Sequence, residues 1–418
     1  MQVDRSTRAQ ADASIGGSWP KSVPRDDGRT RERIRPPSTH PEERRLGRRR
    51  RLAGSALAAV VALVAIAGWS LAGALTAPGA ASLPARAAEW ARTHGGAGLV
   101  GWIENEWYSH HPPRVGGRPP KGAIPSSAAA SHASGSTGAL PPPAPIPPLA
   151  QPPVSGEGQW NPIGRQLFGV PTMYAAYLRP DAVHTSLVAG VVWMDSRLLR
   201  FRLFKGSAIP GHGPWRRTAP VSSSAAARLA AAFNGGFRLA DSGGGYYSEG
   251  RAVAPLVSGA ASLIIYRDGT ATVGQWGRDA QMSPAVSSVR QNLDLIVDGG
   301  RPVSSVVDGA SWGATIGNRV YVWRSGLGVT ADGALLYACG PGLDAASLAD
   351  LLARAGAVRA MELDINTDWV NFTDYTPSTP GAPASPADGR TLLPTMRGGA
   401  GRYFAPWWNR DFVTASVR

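Results

Sequence analysis

Three carboxylates stand close together in the sequence where a strand-like apolar run ends: Glu362, Asp364 and Asp368. Hydrolysis of a glycosidic bond usually needs two carboxyl groups, one as the acid and one as the base or nucleophile. Alternate residues of a strand share a face, so Glu362 and Asp364 are expected on the same side, ~7 Å apart. We therefore predict Asp364 as the principal catalytic carboxylate, assisted by Glu362 or Asp368. The alternative is a solvated sheet face, which shows the same alternation.

An amide followed by two glycines, Asn234-Gly235-Gly236, is the second candidate part of a site. Glycine allows the backbone to approach another molecule closely. We predict that Asn234 and the peptide groups of Gly235 and Gly236 bind the substrate. Asn-Gly-Gly is also an ordinary turn sequence, and that is the alternative interpretation.

Arg324 precedes Ser-Gly-Leu-Gly at residues 325–328, which we interpret as a turn broken by glycines. A phosphate leaving group lowers the need for a strong general acid and raises the need for a cation. The planar guanidinium matches phosphate oxygens, so Arg324 is the best candidate to hold such a phosphate. An ordinary surface arginine before a turn is the alternative.

Other catalytic templates are missing from the sequence. There is no GxSxG or HExxH motif, and residues 156–418 contain only two histidines, His184 and His212, far apart in the chain. We therefore predict no metal ligands and name no cofactor. The single cysteine, Cys339, lies in a strand-like run and is predicted to be a core residue.

Short apolar runs with two-residue alternation dominate residues 156–418, and tight turns such as 267–270 and 331–334 separate several of them, as in hairpins. We predict one helix from the serines at 222–224 through Ala231. A second is predicted from Asp344 to Gly356, followed at once by a strand. The fold class is therefore α+β, with a strand-rich mixed sheet body and a few packed helices.

The composition changes along the chain and predicts five segments. The basic tail has 14 Lys and Arg against 7 Asp and Glu, carries half of the net charge of +14 and is predicted to be disordered. An apolar run without charges is long enough to cross a membrane as a helix. The segments are the tail at 1–51, the transmembrane helix at 52–77, a juxtamembrane segment at 78–111, a Pro/Ala/Ser-rich linker at 112–155 and the globular domain at 156–418.

The basic residues directly before the apolar run predict the topology. By the positive-inside rule the N-terminus is cytoplasmic and the domain is extracytoplasmic, with residues 52–77 as the membrane contact. A cleaved signal peptide, with a small-residue site at 74–77, is the alternative. Because positive residues beside a membrane span already have this topological role, we predict no nucleic-acid partner.

Several motifs in a fixed order resemble the phosphodiester glycosidase family, over roughly residues 185–415. They are Asn-Gly-Gly-Phe within 231–237, Asp-Gly-Gly within 296–300, Arg-Ser-Gly-Leu-Gly-Val-Thr at 324–330, the Gly-Leu helix and strand of 342–364, and the final strand after Arg410. The resemblance implies that Arg324 holds the phosphate and that Asp298 also binds substrate. Asn366 shares the strand face of Glu362 and Asp364, and we predict that it binds substrate as well. The chain departs from the family after Asp364, where Ile-Asn-Thr-Asp replaces a glycine-rich stretch.

These observations together predict a membrane-anchored, extracytoplasmic hydrolase of a sugar-1-phosphodiester or a related cell-envelope glycan. Its expected partners are a carbohydrate or sugar-phosphate substrate and the membrane. The alternative is a non-catalytic glycan-binding module on the same fold.

Overall fold

The structure is a computed structural model that describes residues 41–77, 82–126, 138–308, 312, 321–408 and 410–418. The predicted tail therefore lies outside the described residues as far as residue 40. The chain divides into two compact units, residues 1–67 and 68–418, and the second contains all the strands.

The first helix, α1 (Pro41–Thr76), contains the predicted membrane segment. Its part from Arg50 to Thr76 is, by length and composition, the one helix of the described residues that could cross a membrane. At 1.5 Å per residue, 27 residues extend ~40 Å, which exceeds the ~30 Å hydrocarbon layer.

Two further helices follow, α2 (Leu83–Ala91) and α3 (Ala97–His110), separated by a kink at Arg92–Gly96 where His94 and Gly95 have a non-helical backbone. The hydroxyl of Ser82 accepts a hydrogen bond from the Ala85 amide and so caps the start of α2.

The described residues contain 18 strands in three sheets. The strands are β1 (Asn161–Leu167), β2 (Val170–Leu178), β3 (Ala189–Met194), β4 (Leu199–Phe204), β5 (Leu229–Asn234), β6 (Tyr246–Ser248), β7 (Arg251–Ala254), β8 (Ala261–Tyr266), β9 (Ala271–Gln275), β10 (Val286–Gln291), β11 (Leu295–Asp298), β12 (Arg301–Pro302), β13 (Val322–Thr330), β14 (Leu335–Leu343), β15 (Ala357–Ile365), β16 (Phe372–Tyr375), β17 (Gly389–Thr391) and β18 (Phe412–Val417).

The three sheets have the strand orders β1-β2-β3-β14-β13-β15-β11-β12, β7-β6-β10-β8-β9 and β17-β16-β5-β18-β4. The predicted hairpin turns at 267–270 and 331–334 connect β8 to β9 and β13 to β14. With the remaining short helices α4 (Ser223–Ala226) and α5 (Leu239–Ser242) and the longer α6 (Ala345–Arg354), the architecture confirms the predicted α+β class.

The main hydrophobic core contains residues of all three sheets, among them Phe233, Leu263 and Tyr337. Cys339 is fully buried in this core, which confirms its predicted position. On the other side of the large sheet, α6 packs Leu348 and Leu352 against strand residues.

The predicted helix at 344–356 is confirmed as α6. Asp344 and Ser347 form a capping box in which the Asp344 carboxylate accepts from the Ser347 amide at 2.8 Å. The strand predicted to follow is β15.

The helix predicted from residue 222 through Ala231 is wrong beyond its first turn. Ser222 caps α4 as expected, but α4 ends at Ala226 and β5 begins at Leu229. All six residues of β5 are buried between β16 and β18, and this tertiary pairing outweighs the helix propensity of alanine.

The described parts of the predicted linker, 112–126 and 138–155, pack against the domain. Ile124 is buried in the main core, and Leu140 and Ile146 are buried in the core beneath α6. The Ile146 amide donates to the Gly158 carbonyl at 2.9 Å. A proline-rich composition therefore forms a packed extension here, because a few apolar side chains anchor it.

Candidate functional site

Three strands, β5, β13 and β15, meet around one buried hydroxyl, that of Ser325 in β13. It accepts from Nδ2 of Asn234, the last residue of β5, at 3.0 Å. It also donates to the Asp364 carbonyl of β15 at 3.0 Å and lies 3.2 Å from the Asp364 amide. Phe412, the first residue of β18, pairs with Asn234. The sequence-predicted Asn234 and Asp364 thus lie on two sides of the same contact between sheets.

The side chain of Asn234 is buried and fully hydrogen-bonded. Its Oδ1 accepts from the hydroxyl of Tyr337 at 2.8 Å and from the amide of Asn371 at 3.1 Å. Its Nδ2 donates to the Gly235 carbonyl at 2.8 Å as well as to Ser325. A primary amide has two N–H groups and two oxygen lone pairs, so this residue holds the strand ends in place.

Gly235 and Gly236 allow two polar side chains to come close to the backbone. A Cβ on Gly235 would collide with Asp411, and one on Gly236 would lie 2.9 Å from Oδ1 of Asn292. Asp411 in turn accepts from Nε of Arg290 at 2.8 Å, in an ion pair that is almost completely buried. The groups that lie close to the backbone of these glycines are therefore side chains of the chain itself, where a substrate was expected.

Asp364 is 3% exposed, and burial raises the pKa of its carboxyl to about 7. The positive charges of Arg410 and Arg290 act against this rise, as does the Ile365 amide, which donates to Oδ1 at 2.8 Å. A carboxyl with a pKa near neutrality exchanges protons readily at neutral pH, as a general acid or base must.

Arg410 is a buried arginine with unfilled hydrogen-bonding capacity. It is 5% exposed, and its guanidinium lies over the ring of Trp369 at 4.4 Å. Its Nε and Nη1 are buried without a hydrogen-bond partner in the described residues. Buried polar groups are normally paired, so an oxygen-bearing ligand would complete this site.

Glu89 of α2 lies between two guanidinium groups. Its Oε1 is 3.5 Å from Nη1 of Arg238, and its Oε2 is 3.6 Å from Nη2 of Arg410. Arg238 also donates from Nε to Asp241 at 2.7 Å, and the negative charge of Asp364 interacts with the Arg238 guanidinium. A carboxylate of the chain therefore occupies the position between two arginines beside Asp364.

Glu362 and Arg324 form a separate buried pair, 0% and 3% exposed. Arg324 also donates to the carbonyls of Leu343 and Trp312, at 3.0 and 2.8 Å. Burial raises the pKa of Glu362, while Arg324 acts in the opposite direction. The interpretation of 325–328 as a turn is wrong, since these residues continue β13.

Asp368 and Asn366 follow β15. The Asp368 carboxylate lies 3.5 Å from Nη1 of Arg397 and accepts from the hydroxyl of Ser82 at 3.4 Å. The Asp368 amide donates to Oδ1 of Asn366 at 2.9 Å. Asn366 has a φ of 105°, a backbone conformation that favours glycine. It thus keeps a glycine-like backbone where the resembling family has glycine.

Asp298 lies apart from this group. It pairs with Arg278 at 2.7 Å at the surface, and β-sheet register places it opposite Arg359. Arg359 is five residues before Asp364 on β15, which corresponds to ~17 Å. Among the described residues no group of three or more His, Cys, Asp or Glu side chains could hold a metal ion.

No sequence pattern predicts a chemical role for Arg238, Arg290 or Arg410. Arg410 belongs only to the motif of the final strand. The available signal was its place directly before the strand that pairs with Asn234. That pairing joins residues far apart in the chain, so no local pattern shows it.

Comparison with known proteins confirms the resemblance seen in the sequence. Residues 227–364, from just before β5 to Asp364, match the model of the phosphodiester glycosidase family, NAGPA. This supports a glycosidase-type hydrolase. No curated protein matches the chain.

Two solved structures are similar at low identity. One is the catalytic domain of zebrafish N-acetylglucosamine-1-phosphodiester alpha-N-acetylglucosaminidase, auto-inhibited by its pro-peptide. It is 15% identical, with 62% of this chain and 88% of that chain covered and a TM-score of 0.39. The other is a hypothetical protein from Synechocystis, 13% identical, with 56% and 59% covered and a TM-score of 0.31.

Proposed function

We propose that this protein is a membrane-anchored, extracytoplasmic hydrolase that cleaves the glycosidic bond of a sugar-1-phosphodiester in the cell envelope. The family match over 227–364 supports the reaction class. The observation that carries the substrate class is the pair Arg238 and Arg410 beside Asp364, with donors of Arg410 unfilled. Two guanidinium groups around a carboxyl suit a substrate whose leaving group is an anion.

In this proposal Arg410, with Arg238, binds the phosphate, and Asp364 acts as general base. Asp364 takes a proton from water, the water oxygen bonds to the anomeric carbon, and the bond from that carbon to the phosphate oxygen breaks. The sugar is released as a hemiacetal and the phosphate as a monoester. A phosphate leaves without protonation by a strong acid, so the single carboxyl of Asp364 is sufficient in this proposal, whereas most glycosidases use two.

The other predicted residues support this centre. We assign Asn234 and the glycines after it to holding the strand ends, with any sugar contact through the backbone there. Arg324 and Glu362 position β13 and β15, because Arg324 is enclosed by Glu362 and two carbonyls. Asp368 and Asn366 line the approach to Asp364. The phosphate role predicted for Arg324 thus passes to Arg410.

The membrane topology belongs to the same proposal. The helix from Arg50 to Thr76 follows a run of arginines, which supports a cytoplasmic N-terminus and an extracytoplasmic domain.

The test uses the full chain in a neutral detergent and a panel of sugar-1-phosphodiesters. We expect release of free sugar, and a loss of about 10²- to 10⁴-fold in kcat/KM for Asp364→Asn. Asp350→Asn is the matched control, because Asp350 is partly exposed on α6 and pairs with Arg354 of the same helix.

The second candidate, a glycan-binding module, is favoured by one observation. The second carboxylate of β15, Glu362, is fully buried against Arg324 and cannot meet a substrate. Binding of the phosphodiesters without any released sugar, unaltered by Asp364→Asn, would establish that function and overturn hydrolysis.

A further inference from the structure

A cavity of about 420 Å³ lies at the surface formed by β4, β18 and the residues around α4. Its volume falls within the range of sites for small molecules. Its lining includes six arginines: Arg200, Arg202, Arg216, Arg217, Arg228 and Arg418.

The charge of this cavity is strongly one-sided. None of the described residues that line it carries a carboxylate side chain. Two carboxylates lie outside the lining. Glu249 pairs with Arg217 at 3.3 Å, and the positive charges of Arg200 and Arg418 act on the carboxylate of Asp268. Partial desolvation, and then the charges of Arg217 and Arg200, lower the pKa of Arg202, although its surface remains exposed. Like charges are thus held together at a cost in free energy that an anionic ligand would remove.

Some of the lining arginines have a nitrogen that lacks a hydrogen-bond partner in the part of the chain that the structure describes. Nε of Arg200 and Nε of Arg418 are buried without a hydrogen-bond partner in the described residues. The hydroxyls of Thr414 and Ser416 lie in the same lining. Planar guanidinium forks match phosphate oxygens in pairs, and six of them exceed the charge of one phosphate.

The cavity is separate from the candidate active site. Arg228 precedes β5 and Asn234 ends it, while Arg418 follows β18 and Arg410 precedes it. Six strand residues correspond to ~20 Å, so the two sites lie at opposite ends of the same two strands.

We propose that this arginine-lined cavity binds a ligand with several linked phosphate groups. The ligand is either a soluble oligophosphate or the phosphodiester backbone of an envelope polymer, which share this chemistry. The site neither requires nor forms part of the hydrolytic centre.

The experiment titrates the full chain in neutral detergent, at about 0.15 M salt, with sodium tripolyphosphate and with poly(glycerol phosphate). The test variant is Arg202→Gln/Arg228→Gln, in which both changed residues are exposed. The matched control is Arg251→Gln/Arg301→Gln, which removes the same charge from two exposed residues of β7 and β12.

We expect saturable binding by wild type, a loss of about tenfold or more in the test variant, and unchanged affinity in the control. Arg202→Lys/Arg228→Lys should fall between wild type and the glutamine variant, because the charge remains and the planar fork is lost. The melting temperature of each variant shows that it is folded. Binding of tripolyphosphate alone identifies the soluble source, and binding of the polymer alone identifies the envelope source.

Two results would overturn the proposal. They are no binding of either probe by wild type, and an equal loss of affinity in the test and control variants.

Discussion

At the scale of single residues, the pKa of Asp364 sets the expected pH dependence. With the carboxyl at about 7, only its deprotonated form accepts a proton from water. We expect kcat/KM to rise about tenfold per pH unit below about pH 7 and to level off above it. Initial rates on a sugar-1-phosphodiester across about pH 5 to 9 measure this. The same rise of kcat/KM with pH should persist in Asp350→Asn. A fall of kcat/KM as the pH increases through neutrality would instead assign Asp364 as a general acid.

The same shift has an effect on stability with a defined sign. The pKa of Asp364 is higher in the folded than in the unfolded chain, so folding favours the protonated form. Its contribution to stability is complete below the unfolded value and is lost as pH rises through about 7. Asp364→Asn should therefore be more stable than wild type above that pH, which separates lost activity from unfolding.

Arg410 has a role that can be tested through the choice of substrate. Arg410→Gln should raise KM for the phosphodiester about 10- to 100-fold, because hydrogen bonds to charged groups contribute about 1.5–3 kcal/mol. A neutral aryl glycoside of the same sugar serves as the control substrate, and its KM should rise much less in this variant. The rise in rate with pH should also move to higher pH, since Arg410 lowers the pKa of Asp364. Equal losses on both substrates would show that Arg410 does not bind phosphate.

The carboxylate and the amide of the candidate site could be predicted from sequence, whereas its arginines could not. Asp364 and Asn234 each stand at the end of an apolar run, which is a local pattern. Arg410 and Arg290 reach the site through antiparallel pairing and a buried ion pair between residues distant in the chain. The glycine-like backbone of Asn366 was also hidden, because residue type alone does not reveal φ.

At the scale of elements, the glycines of β13 explain why a strand resembled a turn. A Cβ on Gly326 would lie 2.8 Å from Leu352 of α6 and 3.1 Å from the Met361 carbonyl of β15. These glycines therefore allow the helix to pack closely on the strands. Alternation and capping predicted α6 and β15, but nothing local distinguished a packing glycine from a turn glycine.

Gly326→Ala should destabilise the fold by about 1–3 kcal/mol, because it overpacks the contact between α6 and the sheet. Chemical denaturation measures the change. Gly401→Ala is the matched control, since a Cβ there would meet Pro386 only at 3.5 Å, an ordinary contact, without a positive φ. Equal stability of the two variants would refute tight packing at Gly326.

At the scale of the whole molecule, helix α2 and the strand-rich domain meet at Glu89, which lies near Arg238 and Arg410. In the proposed mechanism, a substrate phosphate would displace this carboxylate from the two arginines. We expect Glu89→Gln to lower KM for the phosphodiester, because it removes a competing negative charge at constant shape. Glu106→Gln is the control, as Glu106 is exposed on α3. An unchanged or higher KM in Glu89→Gln would show that Glu89 does not compete with substrate.

The burial of Cys339 has a practical consequence for measuring movements of the helices near Glu89. It is the only cysteine of the chain, it is completely buried, and burial raises the pKa of its thiol. Maleimides and disulfide reagents attack accessible thiolates, so the folded protein gives no background labelling. A cysteine introduced on the exposed side of α3 would then carry a single fluorophore for following the helix during turnover. In the native chain, the rate of labelling at Cys339 itself reports how often the core opens.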